Sequence, residues 1–333
     1  MSRYLDLARR FPRSFAWGFG TSSYQIEGAT KEDGRGESIW DRFATIPGKT
    51  HRGENGEPGT DSYHRWREDI AVLKELGATA YRFSIAWPRI LPDGTGAVNP
   101  KGLAWYERFV DALLEAGIEP FPTLYHWDLP QRLEDRGGWP ARDTALAFSD
   151  YAGVMLGALG DRVTHWSTLN EPLCSAWLGY LHGSMAPGIQ DAQAAFSASH
   201  HLLLGHGLAV QAARSIAPKA QMGIVLNVGP GMPASDSDED REAVRRHDAS
   251  DSGWFHDPIY FGRYPQEVID AAGITMPIQA NDLATISARL DWHGLNYYFP
   301  AKIGNDPHGA GLKTTWDHID GPKTDMGWGM NAG

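Results

Sequence analysis

Along the 333-residue chain, short runs of β-branched and aromatic residues alternate with longer stretches whose apolar positions recur every three or four residues. That alternation predicts βα units around a parallel sheet. The run Phe15 to Glu27 reads as strand one, dissolving into a Gly-rich charged loop from Gly28 to Gly36. From Ser62 to Leu76, Tyr63, Trp66, Ile70, Leu73 and Leu76 keep a helical period that Gly77 closes. Strand two follows at Ala80 to Pro88, a helix at Gly102 to Ala116, and strand three at Ile118 to His126. A helix from Ala141 to Gly160 leads into the fourth strand, which ends in Trp166-Ser-Thr-Leu-Asn-Glu-Pro172. Ala192 to Ile216 is the next predicted helix, Gln221 to Asn227 strand five, Glu239 to Trp254 a helix opened by the acidic patch Asp236 to Asp240, and Leu290 to Tyr298 strand six. Beyond Tyr298 the pattern predicts only a polar, Gly-rich loop.

Composition narrows the partners. A hydrophobic content of 42% supports a large core, and length alone permits one large barrel or two ordinary domains. The net charge of −11 excludes a nucleic-acid or anionic-membrane surface, which needs clustered Lys and Arg. The 13 Trp, 12 Tyr and 12 Phe suit stacking on sugar rings, although core packing accounts for any single one. Cys174 is the one cysteine, so no internal disulfide forms, and a buried filler is expected there. Arg3, Arg9 and Arg10 precede no apolar run, and no stretch is long enough to span a bilayer, which predicts a cytoplasmic location. His200, His201 and His206 on the Ala/Leu-rich helix read as packed positions rather than metal ligands, and no cofactor is expected.

Candidate chemistry collects at strand C-termini, where a parallel α/β barrel displays its active site. Gln25 follows strand one, His126 and Trp127 strand three, Asn170 and Glu171 strand four, and Asn296 with Tyr298 strand six. Amide, imidazole and phenol groups both donate and accept hydrogen bonds, as sugar hydroxyls do. Glu171 has two readings at this stage: a general acid, or an acidic residue capping the next helix.

The motifs Phe15-Ala-Trp-Gly with Thr21-Ser-Ser-Tyr-Gln-Ile-Glu-Gly28, Tyr81-Arg-Phe-Ser-Ile-Ala-Trp-Pro-Arg89, Leu124-Tyr-His-Trp-Asp-Leu-Pro130, Thr168-Leu-Asn-Glu-Pro172 and Gly294-Leu-Asn-Tyr-Tyr298 together resemble glycoside hydrolase family 1, the retaining β-glucosidases and their relatives. The resemblance implies one domain over residues 1–333, a TIM (β/α)8-type barrel of which this chain holds the first six βα units, and a β-glucoside or β-galactoside as small-molecule partner. It implies Glu171 as general acid/base, Gln25, His126 and Asn170 as ligands of the nonreducing sugar, Trp127 as a wall of that site, and Tyr298 as the residue orienting the nucleophile. Asn296 belongs to the same substrate-binding set. Leu173 stands where many members carry a Trp that stacks on the aglycone, and Trp177 is the candidate to serve that side instead.

Retaining hydrolysis requires a second carboxylate roughly 5–5.5 Å from the first. The family places it in a Glu-Asn-Gly motif ending strand seven, and the reading here is that the chain holds no such motif and ends soon after Trp328. The resemblance thus implies a chain shortened before strands seven and eight and lacking the nucleophile. Glu27, Asp61 and Asp128 are expected to be structural rather than substitutes. Two alternatives stand beside a glycosidase: a non-catalytic sugar-binding remnant, and a fragment complemented by another chain. Open barrel edges further predict an oligomer.

Overall fold

The computed structural model describes residues 10–330; the expectations placed on Met1 to Arg9 and on Asn331 to Gly333 lie outside the described residues. Six strands, β1 (Gly18–Gly20), β2 (Ala80–Ser84), β3 (Glu119–Tyr125), β4 (His165–Asn170), β5 (Gln221–Val228) and β7 (Trp292–Tyr297), form one sheet in that order. Every pairing in it is parallel, so the sheet curls as a half-barrel with helices on its outer side.

The crossover helices are α1 (Ser62–Glu75), α2 (Pro100–Glu115), α3 (Arg142–Leu159) and α4 (Ala192–Ile216). Their starts and stops follow local chemistry. Pro100 opens α2 behind an Asn99 cap, Asp191 caps α4 by accepting from the Ala194 amide, and Gly77 and Gly117 take positive φ after α1 and α2. Tyr81 and Phe83 of β2 pack outward on Phe109 of α2, while Trp87, stacked on Tyr151 at 5.0 Å, knits the second and third units together.

The histidines of α4 are packed, as the pattern predicted. His200 bridges the Tyr264 hydroxyl and the Asp282 carboxylate, which Arg142 also grips at 2.8 and 2.5 Å. His201 contacts the Trp139 carbonyl, and His206 contacts Thr168 of β4 at 2.6 Å. Burial drives His206 down to about 3, so it is a neutral strut between helix and sheet.

Several predicted boundaries give way: strand two, read to Pro88, ends at Ser84 before a helical turn at Trp87–Ile90, and the helix read from Gly102 opens at Pro100. Strand one shrinks to three residues, because Ser23–Ile26 coils into a helical turn once the Ser23 amide finds Ser84 Oγ. The helix predicted through Trp254 breaks at Asp251 (φ −87°, ψ −96°) into α5 (Asp238–Ser250) and α6 (Ser252–Phe261). The polar tail predicted after Tyr298 instead carries β8 (Ala301–Asn305) and β9 (Thr314–His318), which join β6 (Gly231–Pro233) in a small second sheet. Ala301 and Ile303 bury against Ala243 of α5, a contact too long in range for a strand pattern to show.

Two short helices, α7 (Gln266–Ala272) and α8 (Asp282–Ile286), complete the outer layer. At the α4–α8 contact, a Cβ on Gly207 would stand 2.1 Å from the Thr285 carbonyl oxygen. Gly207→Ala is therefore expected to destabilise the fold by roughly 1–3 kcal/mol despite the better helix propensity of Ala, as measured by urea unfolding.

Both edge strands leave large apolar side chains half in solvent: Trp17 and Phe19 beside β1, Leu295 and Tyr297 on β7. No helix among the described residues is long and apolar enough to cross a membrane.

Candidate active site

Side chains on alternate residues of a strand share a face, and this parity assembles the site. On β2, Arg82 and Ser84 point into the half-barrel; on β3, Thr123; on β4, Ser167. Ser167 Oγ donates to Thr123 Oγ1 at 2.7 Å, and Arg82 Nε donates to the same oxygen at 3.1 Å. One layer higher, Arg82 donates to Asn170 Oδ1 at 2.6 Å. The strand ends thus rest on a cross-linked polar floor.

Asn170 is nearly inaccessible, and its amide orientation is settled by its neighbours. Oδ1 accepts from Arg82 and, at 3.1 Å, from Asn296, so Nδ2 donates to His126 Nε2 at 3.1 Å. His126 consequently carries its proton on Nδ1, a buried donor with no partner among the described residues. Burial first, then the Arg82 charge, pushes His126 down to about 3, so it stays neutral through the physiological range. Trp127 completes this wall by donating its indole N–H to the Asn170 carbonyl at 2.9 Å.

Glu171 sits one residue beyond β4 with φ +45°, and Trp127 beyond β3 with φ +80°. Left-handed backbone at two neighbouring strand ends is costly for non-glycine residues and here aims both side chains at the same space. The carboxylate of Glu171 is 3% exposed. Its Oε1 accepts from Asn296 Nδ2 at 2.6 Å and from the Tyr298 hydroxyl at 3.2 Å, and Oε2 accepts from the Cys174 thiol at 3.4 Å. Burial, then Glu171 itself, raises Cys174 well above the ordinary thiol range and keeps it a donor. Tyr298 is raised to about 12, chiefly by burial and then by the Glu171 charge, and is likewise a donor at neutral pH.

Six of the nine residues singled out from the sequence therefore meet in one network: His126, Trp127, Asn170, Glu171, Asn296 and Tyr298. Gln25 is exposed on the turn Ser23–Ile26 and lines a cavity of about 320 Å3 that His126 and Trp127 also line. Leu173 and Trp177 stand apart from the network. Leu173 is buried in the core, and the Trp177 ring packs against Phe196, Trp254 and Phe255 at centroid distances of 4.9–5.9 Å. The Tyr298 hydroxyl, expected to serve a nucleophile, is directed at Glu171.

Sequence reading missed Arg82, although a charge inside the otherwise buried strand Ala80–Ser84 was a signal. Cys174 is buried as expected, and its spacing of three from Glu171 also brings the thiol back to the carboxylate. The tripeptide Glu54-Asn55-Gly56 corrects the reading that the chain holds no Glu-Asn-Gly motif. It lies in the loop before α1 rather than at a strand end, where it lines the same cavity as Gln25.

The other candidate carboxylates are occupied. Glu27 pairs with Arg89 at 3.0 Å and accepts from Tyr106, and Asp61 contacts His64 at 2.6 Å. Asp128, fully buried, accepts from Ser23 at 2.7 Å. Among the described residues, Glu171 is the one carboxylate in the hydrogen-bonded network, and no cluster of three or more His, Cys, Asp or Glu could hold a metal ion.

Burial lifts Asp128 from 3.8 to about 7. Between these values the folded chain retains a proton that the unfolded chain has released, so stability falls as pH rises through the window and levels off above it. The full shift corresponds to at most roughly 4 kcal/mol. Asp128→Asn is expected to flatten the decline in melting temperature between about pH 4 and 7. A residual slope should persist from Glu134, which burial also lifts to about 7.

Comparison with known proteins places this geometry. The sequence profile described as glycosyl hydrolase family 1 matches residues 7–331. A β-glucosidase of Agrobacterium sp. is 47% identical over 98% of this chain and 72% of its own length. β-Glucosidase A of Thermotoga maritima is 46% identical over 96% of this chain and 72% of its own. Among solved structures, the virulence factor SghA of Agrobacterium tumefaciens, at 46% identity, superposes with a TM-score of 0.96 over 99% of this chain and 74% of that one. The same protein has been solved with its substrate analog salicin.

Proposed function

This chain belongs to glycosyl hydrolase family 1, and from that premise we propose a β-glucosidase-type retaining hydrolase acting on β-linked glucosides or galactosides, with Glu171 as its general acid/base. The observation that carries the proposal is the buried Glu171 carboxylate, held by Asn296, Tyr298 and Cys174 at the lip of β4. In its protonated form Glu171 would hand a proton to the glycosidic oxygen and later take one from water. His126, through its unpartnered Nδ1–H, Asn170 and Gln25 would hold the sugar's hydroxyls, with Trp127 against the ring. Leu173 and Trp177 would border the aglycone side from beneath rather than stack on it.

Retention also needs a nucleophile, and the network holds one carboxylate. That observation favours a second reading, in which the same residues bind a β-glycoside without cleaving it, or cleave it only when another chain completes the site. The apolar edges beside β1 and on β7 fit this reading through a covering copy or fragment. A cytoplasmic setting belongs to the same proposal.

Release of nitrophenol from an aryl β-glucoside, lost in Glu171→Gln, supports the hydrolase. Calorimetric binding of glucose without release supports the binder. Neither turnover nor saturable binding would overturn both.

A further inference from the structure

Away from the strand-end network, the chain forms a further pocket, open to solvent, of about 430 Å3. It lies between the π-helical segment Cys174–Leu181, the start of α4, the α5–α6 junction, α7 and the loop before β9. Its walls are apolar: Trp177, Leu181, Phe196, Val268 and Leu312. The size suits a single ring with a short substituent.

One carboxyl interrupts these walls. The helix break at Asp251 turns that residue toward the cavity, where no hydrogen bond from a described residue reaches its side chain. Burial and the like charge of Asp248 push Asp251 up to about 6, so at neutral pH it is an ionised group without a counter-charge. The nearby cations are committed elsewhere. Arg245 grips Glu242 and Glu267, and Arg246 donates to the Leu312 carbonyl and to Asn305. His247, also lining the cavity, is depressed by burial and therefore neutral at pH 7. Asp251 is part-exposed rather than sealed in the fold, so its unpaired charge is open to a cation that enters the pocket from solvent.

We propose that this cavity binds a small amphipathic amine, its apolar body against Trp177 and Phe196 and its ammonium on the Asp251 carboxylate. Aromatic walls beside an anion suit such a ligand twice over, since a cation also gains from the ring faces. The ammonium pairs with Asp251 rather than with Glu171 and binding needs no turnover, although the site shares Trp177 with the aglycone side proposed above.

The test is calorimetric titration of the full chain with 2-phenylethylamine at about pH 8, where Asp251 is ionised and the amine still largely protonated. Saturable one-to-one binding with Kd on the order of 1 mM is expected, unchanged by saturating glucose. 2-Phenylethanol, with the same ring and no charge, should bind about tenfold more weakly, and Asp251→Asn should lose about tenfold for the amine. Ala271→Trp, which fills the exposed mouth of the cavity, should abolish binding and keeps the test valid if Asp251→Asn folds poorly. Equal binding of alcohol and amine, displacement by glucose, undiminished binding in either folded variant, or no saturable heat up to about 20 mM would overturn the proposal.

Discussion

Glu171→Gln is expected to lower turnover of an aryl β-glucoside by about 10^2–10^4-fold, the usual worth of a positioned general acid/base. The substitution keeps the shape of the site: the amide oxygen can still accept from Asn296 and Tyr298, which hold Oε1 at 2.6 and 3.2 Å. What it removes is the transferable proton, so the loss should fall on kcat/KM for substrates with poor leaving groups. A dinitrophenyl glucoside, whose leaving group departs without protonation, should show a smaller loss in the glycosylation step. Glucose affinity, carried by Gln25, His126 and Asn170 in this reading, should change by less than about threefold, well under the 1.4 kcal/mol of a tenfold effect. A variant that hydrolyses poor and good leaving groups as fast as the parent would remove Glu171 from the acid/base role.

Arg89→Met is expected to have the largest effect on stability, a loss of about 3–5 kcal/mol. Arg89 is fully buried, donates to Glu27 at 3.0 Å and to the carbonyls of Gly28 and Ala29, and lies 4.1 Å over the Tyr63 ring. Met fills most of the volume but leaves the buried Glu27 carboxylate with the Tyr106 hydroxyl as its remaining side-chain donor. The cost comes from that stranded charge more than from a lost attraction. Arg89→Met combined with Glu27→Leu should therefore recover much of the stability, read from urea midpoints with unchanged slopes. If the double variant is no more stable than Arg89→Met alone, an uncompensated Glu27 is not the cause. The turn that presents Gln25 runs directly into Glu27, so a single variant that still folds is expected to weaken sugar binding as well.

Much of this architecture was legible in the amino-acid order. The apolar periodicity of Ser62 to Leu76 is a local signal, and local signals survive translation into helices because their energetics involve neighbours three or four residues away. The strand-end placement of His126, Asn170, Glu171 and Asn296 was legible for a related reason. A parallel βα repeat brings every strand's C-terminal residue to the same end of the sheet, so order along the chain implies convergence in space. The histidines of α4 were read as packed, and they are, although nothing local names Tyr264, Asp282 or Thr168 as their partners.

The tertiary structure decided what depends on distant partners. The rim sheet of β6, β8 and β9 exists because Ala301 and Ile303 find Ala243 of α5, which no stretch of five residues encodes. Arg82 became part of the site only when β3 and β4 closed beside it and supplied Thr123 and Asn170 as acceptors. Trp177, the candidate for the aglycone side in place of a Trp at Leu173, packs part-buried in an aromatic cluster with Phe196 and Trp254. By itself, then, the sequence determined which residues reach the lip of the half-barrel. Only packing decided which of them meet, because hydrogen-bond geometry and desolvation are set by groups from opposite ends of the chain, as Asn296 reaching Glu171 across 125 residues shows.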